Sequence, residues 1–208
     1  MKIFKRIQYN APVTLTFALV SLLALVLAHV TDGASNRLLF SVYAAPLSDA
    51  LMYLRLFTHV LGHADISHYV SNFMIILLVG PMLEEKYGGK WLLIMMSVTA
   101  FITGLLFVLV SPHGLMGASG IVFMMILLGS FTNLQKGRVP LTLILVLVVF
   151  IGQEVITGVH AADNVSYLTH VIGGLCGATF GFFMNKDKLM SKDEVTDKNV
   201  MMQEGSDL

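Results

Sequence analysis

The sequence predicts an all-α polytopic membrane protein, a bundle of six transmembrane helices. Three observations carry that prediction. Of the 208 residues, 56% are hydrophobic and only 12% charged, with a mean hydropathy of +0.78, which is far too apolar for a chain folded around one aqueous core. The apolar residues fall into long runs, several of about the 20 residues that a helix needs to cross a hydrocarbon layer roughly 30 Å thick. Most of the charges are gathered at the ends of those runs.

Taken in order, residues 1–11 are a basic N-terminal segment opening MKIFKR, and the first apolar run spans 12–30. A basic start before an apolar run also describes a secretory signal, but no A-x-A-like site closes this one and LAHVTDGASNRLL continues past it. A retained helix is expected. Residues 31–66 are too many for a turn and contain APLSDALMYLRLFTHVLGHADIS with partial amphipathic spacing, which predicts short helices lying in the outer interface. Further helices are expected near 67–83, 91–111, 119–134, 139–157 and 165–185, so that 12–185 form one membrane domain. The end of the chain, 186–208, is mixed in charge and poor in aromatics, and predicts a mobile tail. No internal repeat of the transporter kind appears.

Lysine and arginine set the orientation, because positive loops stay cytoplasmic. With the N-terminus inside, eleven of the thirteen fall on the cytoplasmic side, and only Arg37 and Arg55 remain outside. Both termini are then cytoplasmic, as in a multi-pass protein of a cell (inner or plasma) membrane. All seven histidines, at 29, 59, 63, 68, 113, 160 and 170, fall in outer loops or the outer ends of helices. That clustering marks the outer half as the chemical side. Net charge is zero and no basic patch is interleaved with aromatics, which excludes nucleic acid as a partner. The single cysteine, Cys176, excludes an intramolecular disulfide and reads as a small packing residue.

Polar residues inside membrane helices are costly unless paired or wetted, so they are the functional candidates. Ser119 stands seventeen residues before Lys136, His170 sixteen before Lys186, and His68 sixteen before Glu84. At about 1.5 Å of rise per residue, all three lie roughly 24–26 Å above the inner boundary, at one level beneath the outer surface. Asn72 sits one turn deeper on the face of His68. A hydroxyl, an imidazole and an amide at one depth are the parts of a nucleophilic site. Serine needs a base to take its proton, and His170 is the candidate. Ser119 opens its helix, so unpaired N–H groups and the positive dipole end point at it, and His68 and Asn72 can add donors for an oxyanion. Gly117 and Gly120 leave room for a backbone to approach.

Other readings of the same residues compete with this one. Clusters such as GASG are commoner as helix-packing surfaces than as nucleophile sites. Gly173, Gly177 and Gly181 make two G-x-x-x-G steps, whose plain meaning is close packing; on the face of His170, that ridge would bring the imidazole to the fourth helix. His59, His63 and His68 have a spacing that suggests a metal site, but no inward acidic or cysteine ligand accompanies them, and no metal or other cofactor is expected.

In order, RLFTHVLGHADISHYVSN, GASG and HVIGGLCG resemble the rhomboid intramembrane serine proteases, over about residues 10–185. The resemblance implies Ser119 as nucleophile, His170 as general base without a third acid, and an oxyanion hole from His68, Asn72 and the Ser119 amide. It also implies that Arg55, Thr58, His59 and His63 support the first outer loop. Two positions depart from the family pattern. Leu54 stands where tryptophan is frequent, and Phe123 stands where an aromatic hydroxyl is frequent; Phe123 can stack on His170 but offers no hydroxyl. Glu154, near the outer end of the fifth helix, is expected to reach outer water. The expected partners are the lipid bilayer and transmembrane protein substrates, cut where their helices unwind. The rival class, a catalytically inactive relative that only binds membrane helices, is opposed by the presence of both Ser119 and His170. Oligomeric state, natural substrate and cleavage site are not encoded legibly.

Overall fold

The computed structural model describes residues 8–132 and 165–190, together with 141, 142, 144, 145, 148, 149 and 152. Helix α1, Pro12–Val30, begins with a proline at its first position, where a missing N–H costs nothing. Its small and polar residues Thr14, Ala18, Ser21, Ala24 and Ala28 recur every three or four positions and are buried, while Leu19, Leu23, Val26 and Leu27 are exposed, as suits a helix with one protein face and one lipid face. A short π-helical turn, Asn36–Phe40, follows, and then α2, Ala50–Thr58, capped by the Asp49 carboxylate on the Leu51 N–H. A 3₁₀ turn, His59–Leu61, leads to α3, Ile66–Tyr87, capped by Asp65 and ended by Gly88 at φ +83°. Helix α4 is Gly89–Val110, α5 is Ser119–Ser130 and α6 is Val165–Met190.

Among the described residues, α1, α3, α4 and the Tyr167–Asn185 part of α6 are long and apolar enough to cross a membrane, and the chain is an all-α multi-pass membrane protein. The fifth expected helix, 139–157, lies largely outside the described residues, as do Glu154, His160, the N-terminal residues 1–7 and the tail from 191 onward. Helix α3 runs past residue 83 to Tyr87, and α6 runs past 185 to Met190.

Glu84 lies in the last turns of α3. It is buried, and its two carboxylate oxygens accept the Val13 N–H (2.9 Å), the Thr14 N–H (3.0 Å) and the Thr14 hydroxyl (2.9 Å). A carboxylate thus caps the first turn of α1 from a neighbouring helix, satisfying donors that α1 cannot satisfy itself.

Helix α5 is the hub. Ile121, Val122, Met124, Met125 and Leu128 are buried and packed with Phe73 and Ile76 of α3, Met95 and Met96 of α4, and Ile172 and Cys176 of α6. Its 12 residues rise only about 18 Å, less than the hydrocarbon layer. The connection from Ser111 to Ala118 leads into its first residue, Ser119. That connection is held by the first loop: Val42 and Leu115 exchange backbone hydrogen bonds (2.9 and 2.8 Å), and the Gly117 N–H donates to the His59 carbonyl (3.0 Å).

Candidate active site

The half-buried Ser119 opens α5, whose first intrahelical bond runs from the Val122 N–H to the Ala118 carbonyl (2.9 Å). The N–H groups of Ser119, Gly120 and Ile121 thus have no acceptor within the helix, and the positive end of the helix dipole lies at the hydroxyl.

His170 is brought to this point by the glycine ridge of α6. A Cβ on Gly173 would lie 2.2 Å from the Gly120 carbonyl oxygen, one on Gly177 would lie 2.2 Å from that of Met124, and one on Gly181 would lie 2.6 Å from the Phe131 ring. The helices therefore touch backbone to backbone. One turn before Gly173 stands His170, and one turn after Ser119 stands Phe123, whose ring meets the imidazole at 4.4 Å between centroids and 42° between planes. Ser119 and His170 lie at the same end of one tight seam.

His68 closes the site from α3. A Cβ on Gly117 would lie 2.7 Å from His68 Cε1 and 2.8 Å from Nε2, and Gly117 itself holds φ +128°, in the region that favours glycine. The space that the sequence reading gave to an approaching backbone is filled at Gly117 by this ring. The His68 imidazole is also within electrostatic reach of His170. Asp65, three residues earlier, accepts the His68 N–H (2.8 Å) and fixes the first turn of α3.

Asn72 is buried one turn below His68, and its Nδ2 lies 3.2 Å from His63 Nε2. His63 is fully buried and packs edge-on against His68 (5.0 Å between centroids) and Tyr69 (5.5 Å). Burial, aided by the His68 charge, pushes its pKa down from 6.5 to about 4, so it is neutral at pH 7.

Residues 50–187 match the rhomboid domain family, which is two thirds of the chain and includes all of these groups. This chain belongs to the rhomboid family. The rhomboid is accordingly a membrane-embedded member of a family of intramembrane proteases, whereas no curated protein matches it by sequence.

Arg55, Thr58 and His59, the other residues expected to support the first outer loop, make the following contacts. Arg55, 1% exposed, pairs with Asp49 (2.5 Å), donates to the Leu38 carbonyl (3.3 Å) and lies over the Tyr43 ring at 4.4 Å. Thr58 donates to the Leu39 carbonyl. These contacts bind α2 to the preceding loop. His59, fully buried, has Nδ1 3.1 Å from the Arg55 carbonyl and Nε2 facing Thr103 of α4 at 3.5 Å; burial pushes its pKa down to about 4. Its ring is thus turned to α4, and among the described residues no trio of His, Cys, Asp or Glu is placed to hold a metal ion. His29 and His113 are exposed.

Sequence reasoning missed Asp65, Asn36, Thr103 and Thr169. Asp65 had a readable signal, an aspartate three residues before His68 at a helix start. Asn36, which donates to the His63 carbonyl (3.0 Å), and Thr103 and Thr169, whose methyls border Gly120, have no such signal.

Proposed function

We propose that the protein is a serine endopeptidase that hydrolyses peptide bonds in or near transmembrane helices of substrate membrane proteins through a Ser119–His170 dyad. The observation that carries this reading is the α5–α6 seam, which puts a helix-opening serine and a histidine at one end of a backbone-to-backbone contact. His170 takes the Ser119 proton as Oγ bonds to the substrate carbonyl carbon. The charge that develops on the carbonyl oxygen is met by the Ser119 N–H, His68 and Asn72. His170 then gives its proton to the departing amine as the C–N bond breaks, and water, deprotonated by the same imidazole, releases the acyl group and restores the serine. Gly117 admits His68 to the hole, while Phe123 holds the face of His170.

The active site opens to the outer side in this reading, with both termini cytoplasmic. A substrate helix enters sideways from the lipid and unwinds, since helical carbonyls are already hydrogen-bonded. Such a site needs no metal or other cofactor.

Fluorophosphonate labelling of the detergent-purified protein tests the reading, comparing wild type with Ser119→Ala and His170→Ala. Labelling and cleavage of a reporter transmembrane substrate are expected in wild type and lost in both variants. A folded wild type that labels no better than Ser119→Ala, and leaves the reporter intact, would overturn the protease reading in favour of a protein that only binds membrane helices.

A further inference from the structure

His63 packs against His68, Tyr69 and Phe73, and its ring touches the amide of Asn72 that the mechanism uses. With no solvent exposure and apolar or aromatic neighbours, its imidazole carries a single proton. Nδ1 lies 3.2 Å from the Leu61 carbonyl, which can only accept, so the proton is on Nδ1. Nε2 is then an acceptor, and the group 3.2 Å from it on Asn72 must be the donating Nδ2, not Oδ1. The backbone of His63 is fixed in turn, because the buried Asn36 amide donates to its carbonyl (3.0 Å).

Resting on the dyad reading above, we propose that His63 is a positioning residue: its Nδ1–H tautomer, set by the Leu61 carbonyl, orients the Asn72 amide so that the second Nδ2–H is presented to the oxyanion. A freely rotating amide offers a carbonyl oxygen as readily as an N–H, and an oxygen there would repel the developing charge. His63 removes that choice. It acts through Asn72 and touches neither substrate nor serine.

A double-mutant cycle on the full chain in detergent, with the reporter substrate, tests this. His63→Leu and His63→Phe, neither of which carries a hydrogen-bond acceptor, are used so that the packing of one side chain does not decide the result. Each is expected to lower kcat roughly tenfold to a hundredfold with KM little changed, since orientation matters in the transition state. His63→Gln, whose side-chain carbonyl can accept from Asn72, is expected to recover most of the loss at similar thermal stability. In an Asn72→Ala background the His63 substitutions should cost nothing further. Losses that multiply in the double variants, or a Gln variant as slow as the Leu one at equal stability, would overturn the role of His63 and leave the dyad standing. Cleavage persisting in Ser119→Ala would instead overturn the serine mechanism, and this proposal with it.

Discussion

Gly117 combines two demands that an L-residue with a side chain meets poorly. Its φ of +128° is disfavoured for such residues, and the place of a Cβ is taken by the His68 ring at 2.7 Å. Gly117→Ala must therefore either push His68 out of the site or twist the connection away from the His59 carbonyl. The expected result is a protein that still folds, with backbone strain of about 1–3 kcal/mol, and a loss of reporter cleavage well beyond what the lowered unfolding temperature explains. Unchanged turnover would show that His68 contributes nothing at that position. Ser119, His170, His68 and Asn72 stand out as candidates in the sequence because an expected depth follows from counting residues to a charge. Sequence reasoning could not find what stands beside Gly117, since that neighbour, His68, lies 49 residues earlier in the chain. The same limit hid Asn36, whose bond to His63 spans 27 positions.

Between elements, the α5–α6 seam is the contact on which the site depends, and it was legible as a repeat of glycines four apart. With backbones already touching, Gly173→Ala and Gly177→Ala each insert a methyl where a carbonyl oxygen stands 2.2 Å away, so the helices must part. Overpacking of this kind costs about 1–3 kcal/mol. The two variants should differ in activity more than in stability. Gly173 stacks on Gly120, beside Ser119 and one turn from His170, so its methyl would separate the two residues of the proposed dyad; Gly177 stacks on Met124, one turn further along the seam. Comparing turnover at matched unfolding temperatures checks this, and equal losses in the two variants would argue that the seam serves stability alone. The α1–α3 contact was not legible in the same way. Glu84 reads in sequence as a charge marking the end of a helix, yet it is a buried cap on an element 70 residues away. A charge in a sequence shows its cost but not its partner.

For the molecule as a whole, hydropathy made the membrane fold legible, while the polar packing of the first loop emerged only in three dimensions. That packing predicts how stability depends on pH. His59 and His63 are buried and neutral, with desolvation pushing both from 6.5 to about 4. In an unfolded chain each would take up a proton near 6.5, whereas the folded protein resists protonation until about 4. Between those values the unfolded state binds more protons, so the stability the neutral rings contribute is fully present above 6.5 and is lost as pH falls toward 4. Asp49, whose carboxyl is held below its ordinary 3.8 chiefly by the hydrogen bond from Arg55, titrates beneath this window and does not shape it. The thermal unfolding midpoint in mild detergent should therefore drop between about pH 6.5 and about pH 4. His59→Gln keeps a polar contact to Thr103 but has no proton to gain, so its midpoint should fall less steeply over the same range. Parallel curves for wild type and His59→Gln would mean that the acid sensitivity arises elsewhere. A shallower curve would show that the loop holding the Ser119 connection in place is also where acid first loosens the fold.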